Sequence, residues 1–205
     1  MLFYFIIPQK RISVYQKIQE NAIIYAGGSL MKQAYINMRN FWLDVKNLEN
    51  RKGVIQIGPE QISVAGIEMA LADGATIKHL FLATNSLGDS SLYFENNSKS
   101  GIGGMIGGHG NEALQNAAAH MLAHASKLTG KMERLPAGTS LPAPSEDGYV
   151  RFFAVSKTSL FHTEAKETDV RQPEHPLYPF FAYSQQTLGF FRAQEVQASD
   201  SSGRA

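Results

Sequence analysis

The chain has 205 residues, 43% hydrophobic and 18% charged, with a formal net charge of +1. That balance belongs to a globular protein, and no run of lysine and arginine supplies the electrostatic footprint of a nucleic-acid binder. Cysteine is absent, which excludes disulfides, thiolate metal sites and a cysteine nucleophile, and no apolar run approaches the roughly 20 residues that span a bilayer.

The first segment, Met1–Ile7, is apolar and is followed by Pro8, Gln9, Lys10 and Arg11. A signal peptide has the opposite order, basic residues first and then a longer apolar core. Residues 12–26 suit a helix with Ile12, Tyr15, Ile18, Ala22 and Ile23 towards one side. Gly27-Gly28 stands just before Met31. Two glycine codons can spell a bacterial ribosome-binding sequence, so residues 1–30 read either as an upstream extension with the start at Met31 or as a Gly-Gly loop between helices. The codons at Gly27-Gly28 decide between these. The absence of cysteine fits a reducing compartment, and a cytoplasmic, bacterial protein is the expectation.

From Met31 the spacing of Ala34, Met38, Phe41, Val45 and Leu48 predicts an amphipathic helix, widened by Tyr35 and Trp42. Asn50-Arg51-Lys52-Gly53 ends it. Val54–Ile57 reads as a short strand. Gly58-Pro59-Glu60 resembles a helix start, and Ile62, Ala65, Gly66 and Met69 give a weak helical face stopped by Asp73-Gly74. The β-like run Gln61-Ile62-Ser63-Val64 competes with that reading.

His79–Thr84 and Leu92–Asn96 flank a polar, glycine-containing turn and predict a hairpin over about 78–96. Residues 101–110 follow, with six glycines in ten positions, read as a flexible loop between hairpin and helix, and lead directly into an Ala-rich helix over 111–128 whose stripe is Leu114, Ala118, Met121, Ala125 and Leu128. Residues 130–148 are rich in proline and glycine and read as a loop. Tyr149–Ser156 and Leu160–Glu167 predict a second hairpin over about 149–167. A helix over 177–193 follows, carrying Leu177, Phe181, Ser184, Leu188 and Phe191 on one side. Residues 195–205 are small and polar and read as a flexible tail.

The expectation is an α+β domain over 31–194. Its antiparallel sheet is built from two hairpins, each followed by a helix, and an additional N-terminal helix packs on the sheet. This order is similar to that of small profilin-like and roadblock-like domains. The likeness is one of topology, rests on no motif, and implies a fold but no site residue.

Chemistry has two candidate locations. The glycine segment precedes a helix N-terminus, where an anion is favoured, which makes Gly104, Gly107, Gly108, His109 and Asn111 candidate ligand-binding residues. Both phosphate-loop patterns fail, however. Ile106 stands where the dinucleotide fingerprint needs glycine, and His109-Gly110 stands where Lys and Ser/Thr belong. Glu112 adds negative charge in the first helical turn. The second location is His120 and His124, one turn apart, with His109 just before the same helix. Two histidines at that spacing can ligate one metal if a third ligand arrives, although the sequence lacks the glutamate of His-Glu-x-x-His.

The late aromatics Phe180, Tyr183 and Phe190 spread around the last helix and are candidate interface residues. No intact catalytic motif accompanies them. The expectation is therefore a non-catalytic binding or regulatory module, without a cofactor, whose partner is itself or another protein. It has no nucleic-acid partner and no membrane span. The alternative is an anion- or nucleotide-binding domain, or a metal-dependent enzyme, using the Gly101–Gly110 segment with His109, His120 and His124; a small anionic ligand suits that reading.

Overall fold

A computed structural model describes residues 29–49, 58–73, 76–95, 102–108 and 110–202. Two helices, α1 (Ser29–Leu43) and α2 (Val45–Glu49), precede four strands, β1 (Val64–Asp73), β2 (Thr76–Asn85), β3 (Ser90–Glu95) and β4 (Ile102–Gly107). Helix α3 (Glu112–Leu128) runs into a 3-10 turn at Thr129–Lys131. Strands β5 (Glu133–Pro136), β6 (Tyr149–Val155) and β7 (Ser159–Lys166) follow, then α4 (Glu167–Val170) and α5 (Tyr178–Ser202). Among the described residues seven strands join one sheet in the order β4-β3-β2-β1-β6-β7-β5, and every neighbouring pair is antiparallel.

The α+β class is the expected one, and both predicted hairpins form, as β2–β3 and β6–β7. Their turns are fixed by side chains acting on the backbone. Asn85 Oδ1 accepts from the amides of Leu87 and Asp89, and Gly88 takes a positive φ of 82°. Ser156 Oγ accepts from the amides of Thr158 and Ser159. Such short polar side chains substitute for backbone partners in turns.

The sheet is larger than two hairpins. The weak helix expected after Gly58 is instead strand β1, paired with β2 from Val64–Asn85 to Asp73–Thr76 and with β6 from Val64–Val155 to Met69–Val150. A strand in the middle of a sheet covered on both faces carries apolar residues at nearly every position, which erases the alternation that would reveal it. The glycine segment is strand β4 for most of its length, not a loop. The segment 130–148 contains the 3-10 turn and β5 before it becomes irregular. Helix α5 extends to Ser202, through the helix-favouring Ala193, Gln194, Glu195, Gln197 and Ala198. The predicted helix at 12–26 and strand at 54–57 lie outside the described residues.

Side chains alternate across the sheet. Ala65, Ile67, Met69, Leu82, Leu92, Phe152 and Ala154 meet Leu114, Met121 and Ala125 of α3 and Phe180, Leu188 and Phe191 of α5. Val64, Phe81, Ala83, Tyr93, Phe153 and Val155 face the other way, against Tyr35, Met38, Trp42 and Leu43 of α1 and Val45 of α2. The buried stripe of α1 is therefore rotated from the expected one: Tyr35, Met38, Arg39 and Trp42 are buried, whereas Ala34 and Phe41 are only half-buried. The helix breaks at Asp44, whose Oδ1 accepts from the Lys46 amide.

On the α1 face the rings of Phe81 and Phe153 stack 4.9 Å apart at 3°. Gly66 makes room for them. A Cβ there would lie 1.9 Å from the Leu82 carbonyl oxygen and 2.6 Å from Phe153 Cζ. Gly66→Ala is expected to lower stability by about 3 kcal/mol through overpacking, measured as a shift of the urea midpoint. An unchanged midpoint would show that β1 and β2 separate at little cost.

Candidate functional site

Polar residues gather at two places on this frame: one sealed between α1 and the sheet, the other along the β4 edge and the α3–α5 surface. The sealed group centres on Glu68, in the middle of β1 and 1% exposed. Arg39 of α1, 2% exposed, grips it from above, with Nε 2.5 Å from Oε1 and Nη2 3.0 Å from Oε2. Tyr35 Oη donates to Oε1 at 2.9 Å. From β6, Arg151 Nη1 donates to Oε2 at 3.3 Å, and the Ser145 amide does the same at 3.3 Å.

Arg151 also reaches Glu164 Oε1 on β7 at 3.2 Å, and both arginines donate to the Ala143 carbonyl. The strand register explains the alignment, because Glu68 stands opposite Arg151 and Arg151 opposite Glu164. Beside them, His79 Nδ1 lies 3.1 Å from Glu95 Oε2 and Nε2 lies 3.1 Å from the Ser145 carbonyl oxygen. Burial, and then the charge of Glu68, push the Tyr35 hydroxyl well above its ordinary 10.0, so it remains a donor.

Sequence reading missed Arg39, Glu68 and Arg151. The signal that could have found them is one acid and one base, each alone inside an apolar strand: Glu68 in Val64–Leu71 and Arg151 in Tyr149–Val155. A buried charge needs a partner. Arg39, Glu68, Arg151 and Ser145 are buried, and the chemistry of the group is that of a clamp between α1, three strands and the segment at 143–145.

The glycine segment has a different character. Gly104 and Gly107 lie on β4, where Gly104 faces the Tyr93 ring and Gly107 faces Leu114 and Phe191. Gly108, with φ +126°, approaches the Gly88 carbonyl so closely that a Cβ would lie 2.4 Å from it. Asn111 caps α3, its Oδ1 accepting from the Leu114 amide at 3.0 Å. His109 lies outside the described residues. β4 is the terminal strand of the sheet and pairs only with β3 among the described residues. It carries no charge, and its Ile106 is 49% exposed.

His120 and His124 share one face of α3 and both stack on Tyr183 of α5, with ring centroids 4.6 and 5.5 Å away. Among the described residues no group of three or more His, Asp or Glu is placed to hold a metal ion. Of the aromatics expected at an interface, Phe180 is fully buried and packs edge-on against Phe152. It had to turn inward because the sheet's α3–α5 face needs large side chains between the alanines of α3. Phe190 is half-buried against the same core, and Tyr183 is half-buried beneath the histidines.

Two shallow depressions of about 270 Å³ each lie on the surface of the described residues. One is lined by Met132, Thr163, His175 and Leu177, the other by Asn85, Ser86, Gln115 and Leu122. No helix among the described residues is long and apolar enough to cross a membrane. No protein-family model matches this chain, and neither a curated protein nor a solved structure matches it.

Removing one member of the sealed cluster leaves its partners charged and dry. Glu68→Ala is expected to cost about 3–5 kcal/mol, whereas Glu60→Ala, which removes the exposed pair with Arg134, is expected to cost less than about 1 kcal/mol. Urea denaturation of both variants checks the contrast, and equal losses would contradict it.

Burial lowers the pKa of His162 and of His124 below the ordinary 6.5. The unfolded chain then takes up these protons first, so the stability contributed by the neutral rings is complete above about pH 7 and lost as pH falls through the lowered folded values. The melting temperature should fall over that window, and fall less in His124→Gln/His162→Gln. A steeper fall in the double variant would reverse the assignment.

Proposed function

We propose that this protein is a non-catalytic binding module that acts through self-association or a protein partner, engaged along the edge of β4 that no other described strand pairs. One observation carries this reading: the two ends of the sheet are built differently. The β5 end is short and carries Glu133, Arg134 and Pro136, the kinds of residue that blunt an edge against pairing. The β4 end, Ile-Gly-Gly-Met-Ile-Gly, carries no charge and no proline.

Alternate residues of a terminal strand turn their N–H and C=O groups outward, where an extended segment can add to the sheet by main-chain hydrogen bonds. The absence of side chains at Gly103 and Gly104 lets another backbone come near. The exposed Ile106 supplies apolar area at the same edge.

Titration of ¹⁵N-labelled protein with short, capped, uncharged peptides of alternating threonine and valine tests this. Amide shifts are expected to concentrate on β4 and to disappear in Ile106→Lys, since an edge lysine opposes strand addition. Shifts confined to the α3–α5 surface, or none along β4 at any soluble peptide concentration, would overturn the reading.

A further inference from the structure

The β4 edge is complementary to itself. Edge-to-edge pairing of two identical strands places a two-fold axis between them, and the same patch then meets its own copy. Charged strands pay like-charge repulsion in that arrangement, but β4 has no charge from Ile102 to Gly107.

An antiparallel pair related by an axis normal to the sheet keeps each face on its own side. Residues opposite one another must then share a face, and this permits few registers. With the axis at Met105, Met105 stands opposite Met105 of the second copy, Gly103 opposite Gly107, and Ile106 opposite Gly104. The last pairing fits what is already present. Tyr93 lies over Gly104, with Cδ1 2.9 Å from where a Cβ would be. An isoleucine set across from that glycine meets the aromatic ring, a large residue against a small one with a ring beside it. The two-fold makes this contact twice and covers Ile106 on both copies.

We infer that the strand completing this sheet is β4 of a second copy, antiparallel about Met105, so that two seven-stranded sheets become continuous. This rests on the reading of β4 as a docking edge and names its occupant. The chain has no cysteine, so Met105→Cys introduces a single thiol. Directly opposed side chains approach to roughly 4.5–5.5 Å between Cβ atoms, close enough for a disulfide after small adjustment.

Mild oxidation of Met105→Cys is expected to give a covalent dimer, and of Ile106→Cys far less, because the two thiols at 106 lie apart in this register. Sedimentation equilibrium should show a wild-type dimer. Ile106→Lys should raise its dissociation constant at least about tenfold, since two apolar contacts are lost at once, with an unchanged circular dichroism spectrum. A wild-type chain that stays monomeric at its highest soluble concentration, or a dimer that cross-links better through 106 than 105, would overturn the inference. If the threonine–valine peptides still shift β4 in a monomeric protein, the docking edge stands and only the second copy falls. If neither experiment involves β4, both fall.

Discussion

Glu68 is the residue around which the fold is arranged. It sits on the central strand β1, is almost fully buried, and is held by Arg39 from α1, Arg151 from β6 and the Ser145 amide. A buried ion pair contributes little net stability relative to well-packed apolar residues, because desolvation offsets the Coulomb attraction. What it contributes here is selection of one arrangement. A one-residue slip of β1 would move Glu68 to the face covered by α3 and α5, where the core is apolar. The same slip would take Glu68 away from Arg151, which would keep only the Glu164 carboxylate, and would take from Arg39 the carboxylate it grips. The pairing of β1 with β6 is thus specified by charge where the apolar pattern alone is ambiguous.

The clamp also explains how the N-terminal helix and the irregular segment after β5 are held. Arg39 and Arg151 both donate to the Ala143 carbonyl, and Ser145 is tied to Glu68 through its amide and its hydroxyl. A proline-rich stretch has few ladder bonds of its own, so it needs side-chain donors to be fixed over a sheet. The sheet beneath is left with apolar residues on both faces and with Gly66 where Phe153 crosses it. The strands at either end inherit their environment from this centre. β5 is covered little and is charged, while β4 is anchored on its inner side by Tyr93, Leu114 and Phe191.

Legibility in the sequence followed solvent exposure. Hairpins β2–β3 and β6–β7 were readable because their turns carry the residues that turns demand, and because part of β7 alternates between the core and water. The stripe of α3 was readable for the same reason: one side is apolar and the other faces solvent. β1 was not, since burial on both faces leaves no polar phase to count. The stripe on α1 was misplaced because Arg39 is a core residue there, and no single-residue rule puts arginine in a core before its partner is known. The glycine segment misled for another reason. Glycine-rich letters describe a flexible loop as well as a strand whose neighbours occupy the space that side chains would fill, and only Tyr93, Leu114 and Phe191 distinguish the two. Of the residues marked out as interface candidates, Phe180 belongs to the core, because aromatics around a helix do not reveal which of them the sheet will claim.

The glycines of β4 carry an argument about what the strand is for. Glycine inside a strand weakens it, so its presence calls for a packing reason or a close approach. Gly104 and Gly107 have the packing reason on the inner surfaces of the sheet. That requirement does not extend to Ile106, whose side chain is half exposed, and a protein guarding its edge would place lysine, glutamate or proline there, as β5 does. Instead Ile106 remains apolar at half exposure. Packing therefore accounts for Gly104 and Gly107 and leaves the uncharged, exposed isoleucine unexplained, whereas the proposed strand addition has a use for both. The inward and outward demands fall on different residues of one short element, which makes them separable by mutation.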